Sequence, residues 1–158
     1  MAENPVFERA TRFLSALRHC QVLGLQVHSA SCEGLTVMLP YSPHIVGNPQ
    51  TGVIHGGALT SLVDTACGMS TLCVLPEFEV CPTLDLRIDY MHAAEPYKDV
   101  YGFAQCYRVT TDVIFARGFA YQDDPEHPIA HVVGTFMRMG KAIKGAKGFG
   151  GAIAAGAI

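Results

Sequence analysis

The chain has 158 residues, a length that fits a single domain. Its hydrophobic fraction of 49% is enough for a sizeable core, whereas charged residues make up only 16%, below the roughly 25% of ordinary soluble domains. A low charged fraction indicates that part of the surface is covered by another subunit. The net charge of −3 argues against a general nucleic-acid-binding protein.

The six cysteines and the polar N-terminus bear on metals and on location. None of the cysteines forms a CxxC pair, and no histidine cluster has the spacing of a zinc site. We therefore expect reduced thiols in a cytoplasmic protein that uses no metal and no other cofactor. A signal peptide is not expected, because the N-terminal sequence is polar and lacks an apolar core. A membrane span is not expected either, because no stretch of about 18 residues is apolar throughout.

Hydrophobic periodicity predicts two helices and six strands. In chain order these are a helix over residues 4–20, strands over 23–31 and 35–41, a helix over 55–74, and strands over 83–91, 100–109, 113–122 and 129–139. The last four strands are predicted to form an antiparallel meander. The pattern indicates one α+β domain over residues 1–140, in which one antiparallel sheet wraps one long helix, and a flexible Gly/Ala-rich tail over 141–158.

The long predicted helix carries a single formal charge, Asp64. No other Asp, Glu, Lys or Arg occurs between residues 53 and 76. The residues opposite its apolar stripe are small and weakly polar, namely Gly57, Thr60, Ser61, Cys67, Gly68 and Thr71. That composition suits close packing, so we expect this face to contact a second copy of the chain. A lone carboxylate on a covered helix is a candidate functional group, although a solvated surface acid gives the same pattern.

The start of this helix, His55-Gly56-Gly57, is a candidate site for an anion or a developing oxyanion. The first N–H groups of a helix lack internal partners, the helix dipole is positive there, and glycine lets a ligand approach the backbone. A Gly-Gly pair before a helix is also a common plain turn. Gly56 and Asp64 differ by about 12 Å of helical rise, too far to act on one carbonyl group. Two antiparallel copies of the helix can do so, which predicts a dimer with shared sites.

The segment N-P-Q-T-G-V-I-H-G-G-A-L-T-S-L-V-D-T-A-C-G, followed by T-L-D-L-R-I-D-Y-M, resembles the PaaI-like branch of the hot-dog thioesterases. The resemblance implies a hot-dog fold, an antiparallel sheet curled around one long helix, in homodimers that often pair into homotetramers. It also implies hydrolysis of an aryl- or medium-chain acyl-coenzyme A to a free acid and coenzyme A. Partners other than this substrate and the chain itself, such as a nucleic acid or a membrane, are not expected.

The same resemblance assigns roles to residues of the helix motif. Gly56 corresponds to the glycine whose backbone N–H polarises the thioester carbonyl, and His55 helps to position the loop and the substrate, or only caps the helix. Asp64 activates or orients the attacking water, or attacks directly. Thr83 helps to hold that water, although an ordinary strand residue fits the position equally well.

Further candidate residues lie before the helix motif and within it. Asn48 corresponds to an asparagine that supports the carbonyl-binding side. One extra residue separates Asn48 from the histidine compared with the family pattern, so Gln50 is an alternative in that role. The candidates for contact with the substrate are Gln50, Gly57, Thr60 and Ser61.

Two other functions remain open from the sequence. One is a hot-dog dehydratase or hydratase that acts on acyl thioesters, although the chain lacks the H-F-P-G type of motif that such enzymes carry. The other is a non-catalytic protein that binds acyl-coenzyme A. Release of free coenzyme A distinguishes a thioesterase from both.

Overall fold

The computed structural model describes residues 4–139, which fold as a six-stranded antiparallel sheet wrapped on a long helix, with a two-stranded sheet formed by residues 46–54 just before that helix. The elements are α1 (Pro5–Ala16), α2 (Arg18–Leu23), β1 (Gln26–Ser31), β2 (Gly34–Leu39), a 3₁₀ helix (Pro43–Ile45), β3 (Val46–Asn48), β4 (Val53–Ile54), α3 (Gly56–Val74), β5 (Thr83–Tyr90), β6 (Val100–Val109), β7 (Val113–Tyr121) and β8 (Ala130–Met137). The α+β class expected from the sequence is confirmed. The predicted tail, residues 141–158, lies outside the described residues.

The order of strands in the main sheet is β1-β2-β6-β7-β8-β5, and all neighbours are antiparallel. The predicted four-strand meander was therefore wrong for β5, which pairs with β8 at the edge and not with β6. Residues 91–99 join β5 to β6 and reach up to about 30 Å when extended, whereas three strand spacings take only about 14 Å. This connection is thus long enough to cross the sheet, and β6 is left to pair with β2.

The first predicted helix is in fact two helices, because Leu17 is extended, with φ −88° and ψ 100°. The break lets α2 run beside α3. There His19 Nε2 lies 3.2 Å from Ser61 Oγ, and Cys20 Sγ lies 3.7 Å from Thr65 Oγ1. The N-terminal segment therefore contacts the same part of α3 that carries Asp64.

The helix α3 forms the centre of the core. Its predicted apolar stripe is buried, with Leu62 fully covered and packed over Gly102, where a Cβ atom would lie 3.0 Å from Leu62 Cγ. By length and composition alone α3 could cross a membrane, but more than half of it is buried inside the domain. This burial is typical of the core helix of a globular fold.

The helix α1 covers a side of α3 that the sheet leaves open. Asn4 caps α1 by accepting hydrogen bonds from the N–H groups of Val6 and Phe7, and its Nδ2 donates to the Ala30 carbonyl of β1 at 2.7 Å. Arg9 donates through Nη2 to the carbonyl groups of Leu72 and Leu75, at the C-terminal end of α3. A cation there is favourable because the helix dipole is negative at that end. These contacts fix α1 to both β1 and α3.

Two of the six small residues of α3 that suggested a contact with a second copy are covered by their own chain. Cys67 and Thr71 are buried within the chain itself, and a Cβ atom at Gly68 would lie 3.4 Å from Phe136 Cε1 of β8. Contact of a second copy through the other four residues, which are exposed or half-buried, stays a prediction; they are Gly57, Thr60, Ser61 and Gly68. Small side chains are needed here because the sheet, α1 and α2 of the same chain approach α3 closely.

Candidate active site

Asp64 is half-buried near the middle of α3, and its carboxylate meets the first residue of β5. Thr83 Oγ1 donates a hydrogen bond to Asp64 Oδ1 at 2.9 Å. Within residues 4–139 no group donates a hydrogen bond to Oδ2, and no cation pairs with this carboxylate. Thr83 thus orients the carboxylate, and the second oxygen is available to a water molecule or a substrate.

Thr83 faces α3 because β5 contains a β-bulge. Thr83 pairs with Phe136 and Asp85 pairs with Thr135, which leaves Leu84 as an extra residue. Beyond the bulge, Leu86 packs against the core. Side chains alternate between the two faces of a regular strand, so Thr83 and Leu86 would point to opposite faces without the extra residue. The bulge therefore brings the threonine to the carboxylate.

Asp64 and Thr83 line a cavity of about 220 Å³ between α1, α3 and the segment before β5. Most of its wall is apolar, from Phe13, Leu17, Met69, Leu72, Val80 and Pro82. The cavity contains a second carboxylate, Glu79, which is paired with Arg138 at 2.6 Å and 3.2 Å. Of the two carboxylates in the wall, Asp64 is the one whose charge is not paired by a cation among residues 4–139.

The thiols around this cavity are unreactive. Burial raises the pKa of Cys67 to about 12, and the nearby Asp64 carboxylate adds to the effect. Burial also raises the pKa of Cys81, in the cavity wall, to about 11, partly opposed by a hydrogen bond with Thr71. Because a thiol must lose its proton to act as a nucleophile, neither cysteine does so near neutral pH.

The N-terminus of α3 forms a second cluster of predicted residues. His55 is the N-cap, and its Nδ1 accepts a hydrogen bond from the Gly57 N–H at 2.9 Å. No partner among residues 4–139 accepts a hydrogen bond from the Gly56 N–H, as is usual for the first residue of a helix. His55, Gly56 and Gly57 are all exposed. The cluster thus offers one exposed N–H donor at the positive end of a long helix.

Tyr90, which was not predicted as a site residue, holds the peptide group of Gly56. The hydroxyls of Tyr90 and Thr60 each donate to the Gly56 carbonyl oxygen at 3.1 Å, and they lie 2.7 Å from each other. Leu86, Ile88 and Tyr90 alternate with charged residues along β5, which indicates that the three share one face of the strand. No sequence signal showed which group the Tyr90 hydroxyl would reach. One strand therefore contacts both clusters, through Thr83 at its start and Tyr90 at its end.

The other predicted residues lie around the helix start. Asn48 Oδ1 accepts from the Gln50 N–H at 3.0 Å, and the Asn48 carbonyl accepts from the Gly52 N–H at 2.9 Å. These bonds shape the turn between β3 and β4, with both side chains exposed. Ser61 Oγ donates to the Gly57 carbonyl at 3.0 Å and faces His19 of α2.

The Asp64–Thr83 pair and the cluster at the start of α3 are separate within one chain. The cavity beside Asp64 includes none of the residues 48–61. Asp64 and Gly56 are on the same rigid helix and differ by about 12 Å of rise. A thioester carbonyl that contacts Gly56 is therefore out of reach of Asp64 in the same subunit.

Both clusters fall within a segment that matches a known family. The model of the thioesterase superfamily matches residues 51–129, which is half of the chain. The chain belongs to the thioesterase superfamily. His55, Gly56, Asp64 and Thr83 all lie inside the matched segment of this superfamily member.

Known relatives of this thioesterase-superfamily chain agree with its fold. A crystal structure of a protein from Pseudomonas aeruginosa is 75% identical to it, with a TM-score of 0.80, and the match covers 85% of this chain and 100% of that one. The E. coli PaaI protein from the phenylacetic acid degradation operon is 17% identical, with a TM-score of 0.73 and coverage of 85% and 94%. These structures confirm the hot-dog fold.

A more distant sequence relative points to ester chemistry. A Halobacterium salinarum protein, provisionally named an esterase, is 32% identical over 75 residues. The match covers 46% of this thioesterase-superfamily chain and 50% of the relative, so the chain spans about half the length of that curated protein. Superfamily membership and this relative together support a thioester hydrolase in general terms.

Proposed function

We propose that this protein is an acyl-coenzyme A thioesterase that hydrolyses an aryl- or medium-chain acyl-coenzyme A to a free acid and coenzyme A. The observation that carries the proposal is the Asp64 carboxylate. It is oriented by Thr83 at 2.9 Å, it has no paired cation among residues 4–139, and it lines an apolar cavity. A carboxylate in such a setting can activate a water molecule next to an acyl group.

In the proposed reaction, Asp64 acts as a general base. Oδ2 accepts a proton from a water molecule as the water oxygen bonds to the thioester carbonyl carbon. The carbonyl electron pair moves to its oxygen, which the Gly56 N–H stabilises. When the tetrahedral intermediate collapses, the carbon–sulfur bond breaks, and the coenzyme A thiolate takes the proton from Asp64. The products are the free acid and the coenzyme A thiol, with no further reactant.

The proposal includes a homodimer, in which Asp64 of one copy acts beside Gly56 of a second copy. The separation of the two clusters within one chain supports this arrangement. The free edge of β5 supports it too, because among residues 4–139 this strand pairs with β8 and with no other strand. Leu84 and Tyr90 of β5 are 53% and 50% exposed, and Met91, directly after the strand, is 55% exposed. An uncovered edge strand with apolar side chains is prone to pair with another strand, and this one adjoins both clusters.

The outer face of the sheet supports further pairing of dimers into a tetramer. Aromatic rings from adjacent strands contact each other across it, with centroid distances of 5.5 Å for Tyr101 and Tyr121 and 5.4 Å for Phe103 and Phe119. Tyr107, farther along the same sheet, is 53% exposed. Aromatic side chains are enriched at subunit contacts, where they bury large apolar areas.

A thiol-release assay tests the proposed activity. We expect the purified protein to release free coenzyme A from hexanoyl- or benzoyl-coenzyme A, with the free acid formed in equal amount. Binding of these esters without turnover would instead identify a non-catalytic binding protein. Hydration of an enoyl-coenzyme A with the thioester left intact would identify a hydratase.

A charge on the edge strand tests the proposed dimer. Leu84→Lys places an ammonium group on the free edge, so we expect light scattering to show a monomer and turnover to fall at least about tenfold. The matched control is Val109→Lys, an exposed apolar position at the end of β6, which is an inner strand of the sheet and lies away from the free edge of β5. The control should keep the wild-type mass. A monomeric wild-type protein at micromolar concentration would contradict the shared site.

A further inference from the structure

We propose that the cavity beside Asp64 receives the acyl group of the substrate, and that Phe13 of α1 sets the largest acyl group that fits. This inference rests on the proposed thioesterase function. It assigns a part in substrate selection to the N-terminal helix, which lies outside the segment that matches the superfamily.

The cavity wall joins a reactive group to an apolar surface. Asp64 and Thr83 supply the polar part, and Met69 and Leu72 of α3 supply apolar wall on the same helix. Phe13 of α1 and Leu17, the residue directly after α1, complete the apolar wall. An acyl chain that lies against this surface leaves water, and its carbonyl carbon is then held near the carboxylate.

The position of Phe13 is well defined. Its ring packs against Phe78 with a centroid distance of 5.7 Å and an interplanar angle of 55°. The bonds from Asn4 to Ala30 and from Arg9 to Leu72 hold α1 against the sheet and α3. Because the helix is anchored at these points, the size of the Phe13 side chain, more than movement of α1, limits the space beside Asp64.

The volume of the cavity indicates the size of the acyl group. An apolar protein cavity of about 150 Å³ holds benzene, whereas drug-sized ligands occupy pockets of about 300–1,000 Å³. At about 220 Å³, this cavity accommodates an aromatic ring with a short linker or an alkyl chain of similar volume. Glu79 is already paired with Arg138, so an uncharged acyl group is the one that the wall suits.

Substitution of Phe13 tests the inference. Phe13→Ala enlarges the cavity, and the ratio of kcat/KM for decanoyl- over hexanoyl-coenzyme A should rise at least about tenfold. Leu17→Phe narrows the cavity and should lower the same ratio by a similar factor. The two variants change the ratio in opposite directions, so a general loss of stability cannot imitate the pair. Circular dichroism melting confirms that each variant is folded.

The matched control is Phe7→Ala. Phe7 is also an α1 aromatic residue that packs against the core, but it does not line the cavity. Its substitution should leave the decanoyl-to-hexanoyl ratio unchanged. If the wild type hydrolyses both esters and neither Phe13→Ala nor Leu17→Phe moves the ratio, the acyl-site inference fails and the thioesterase function stands. If the wild type hydrolyses no ester, both fail.

Discussion

Asp64→Asn is expected to lower kcat by at least about 10²-fold, with a much smaller change in KM. The amide oxygen of asparagine can still accept the hydrogen bond from Thr83 Oγ1, so the local structure should persist. The neutral side chain cannot take a proton from water, and the base is lost. Steady-state thiol release with hexanoyl-coenzyme A measures both constants.

Asp85→Asn is the matched control for this substitution. Asp85 is an exposed carboxylate on the same strand as Thr83, two residues further along, and it does not line the cavity. The same loss of charge there should leave kcat within about twofold of wild type, as is usual for a surface substitution. If Asp64→Asn folds, keeps its oligomeric state and turns over like wild type, Asp64 is structural and the proposed mechanism is wrong.

The sequence predicted best the features that depend on residues close together along the chain. The apolar stripe and the single charge of α3 are visible from helical periodicity alone, and the structure buries Leu62 and Val63 as that periodicity predicts. The cap at His55 is also a local feature, since the bond from the Gly57 N–H spans only two residues. Local patterns therefore predicted the helix, its start and its candidate acid.

The contacts that complete the site are non-local, and they could not be predicted in this way. Phe13 reaches the cavity from α1, about fifty residues before Asp64, because the chain breaks at Leu17 and α1 packs across α3. Thr83 meets Asp64 because Leu84 forms a bulge, and a bulge depends on the partner strand as much as on its own sequence. Periodicity places such residues on a face of an element but does not place the elements relative to each other.

The small residues of α3 show how one composition can suit two different neighbours. Gly68 and Thr71 indicated a close contact, and a close contact exists, but it is made within the chain. The residues of a helix face do not show whether the surface that packs against it belongs to the same chain or to a second copy. The proposed dimer accordingly rests on the edge strand β5 and on the distance between Gly56 and Asp64.

Gly56→Pro is expected to lower kcat by about 10²–10³-fold, the range found when one oxyanion donor is removed. Proline lacks the backbone N–H but suits the first position of a helix, where Gly56 lies. The preceding residue, His55, already has φ −71° and ψ 136°, a conformation compatible with a following proline. The substitution thus removes the donor and leaves the helix start intact.

Gly56→Ala is the control for side-chain bulk, because alanine keeps the N–H. A Cβ atom at this position would lie 3.9 Å from the Tyr90 ring, an ordinary van der Waals distance. We expect turnover within a few fold of wild type for Gly56→Ala. Equal losses in the alanine and proline variants would show that bulk, and not the missing donor, lowers the rate.

Mixing the Gly56→Pro and Asp64→Asn variants tests whether the two groups act from different subunits. In a mixed dimer, the intact Gly56 of the Asp64→Asn subunit meets the intact Asp64 of the Gly56→Pro subunit at one of the two sites. Random exchange of equal amounts makes half of the dimers mixed, so about one quarter of wild-type activity should return from two nearly inactive proteins. If mixed dimers are confirmed by mass spectrometry and no activity returns, Gly56 and Asp64 do not act together across the interface. That result would contradict the shared site, while the effect of each single substitution would still report on the residue's own part in hydrolysis.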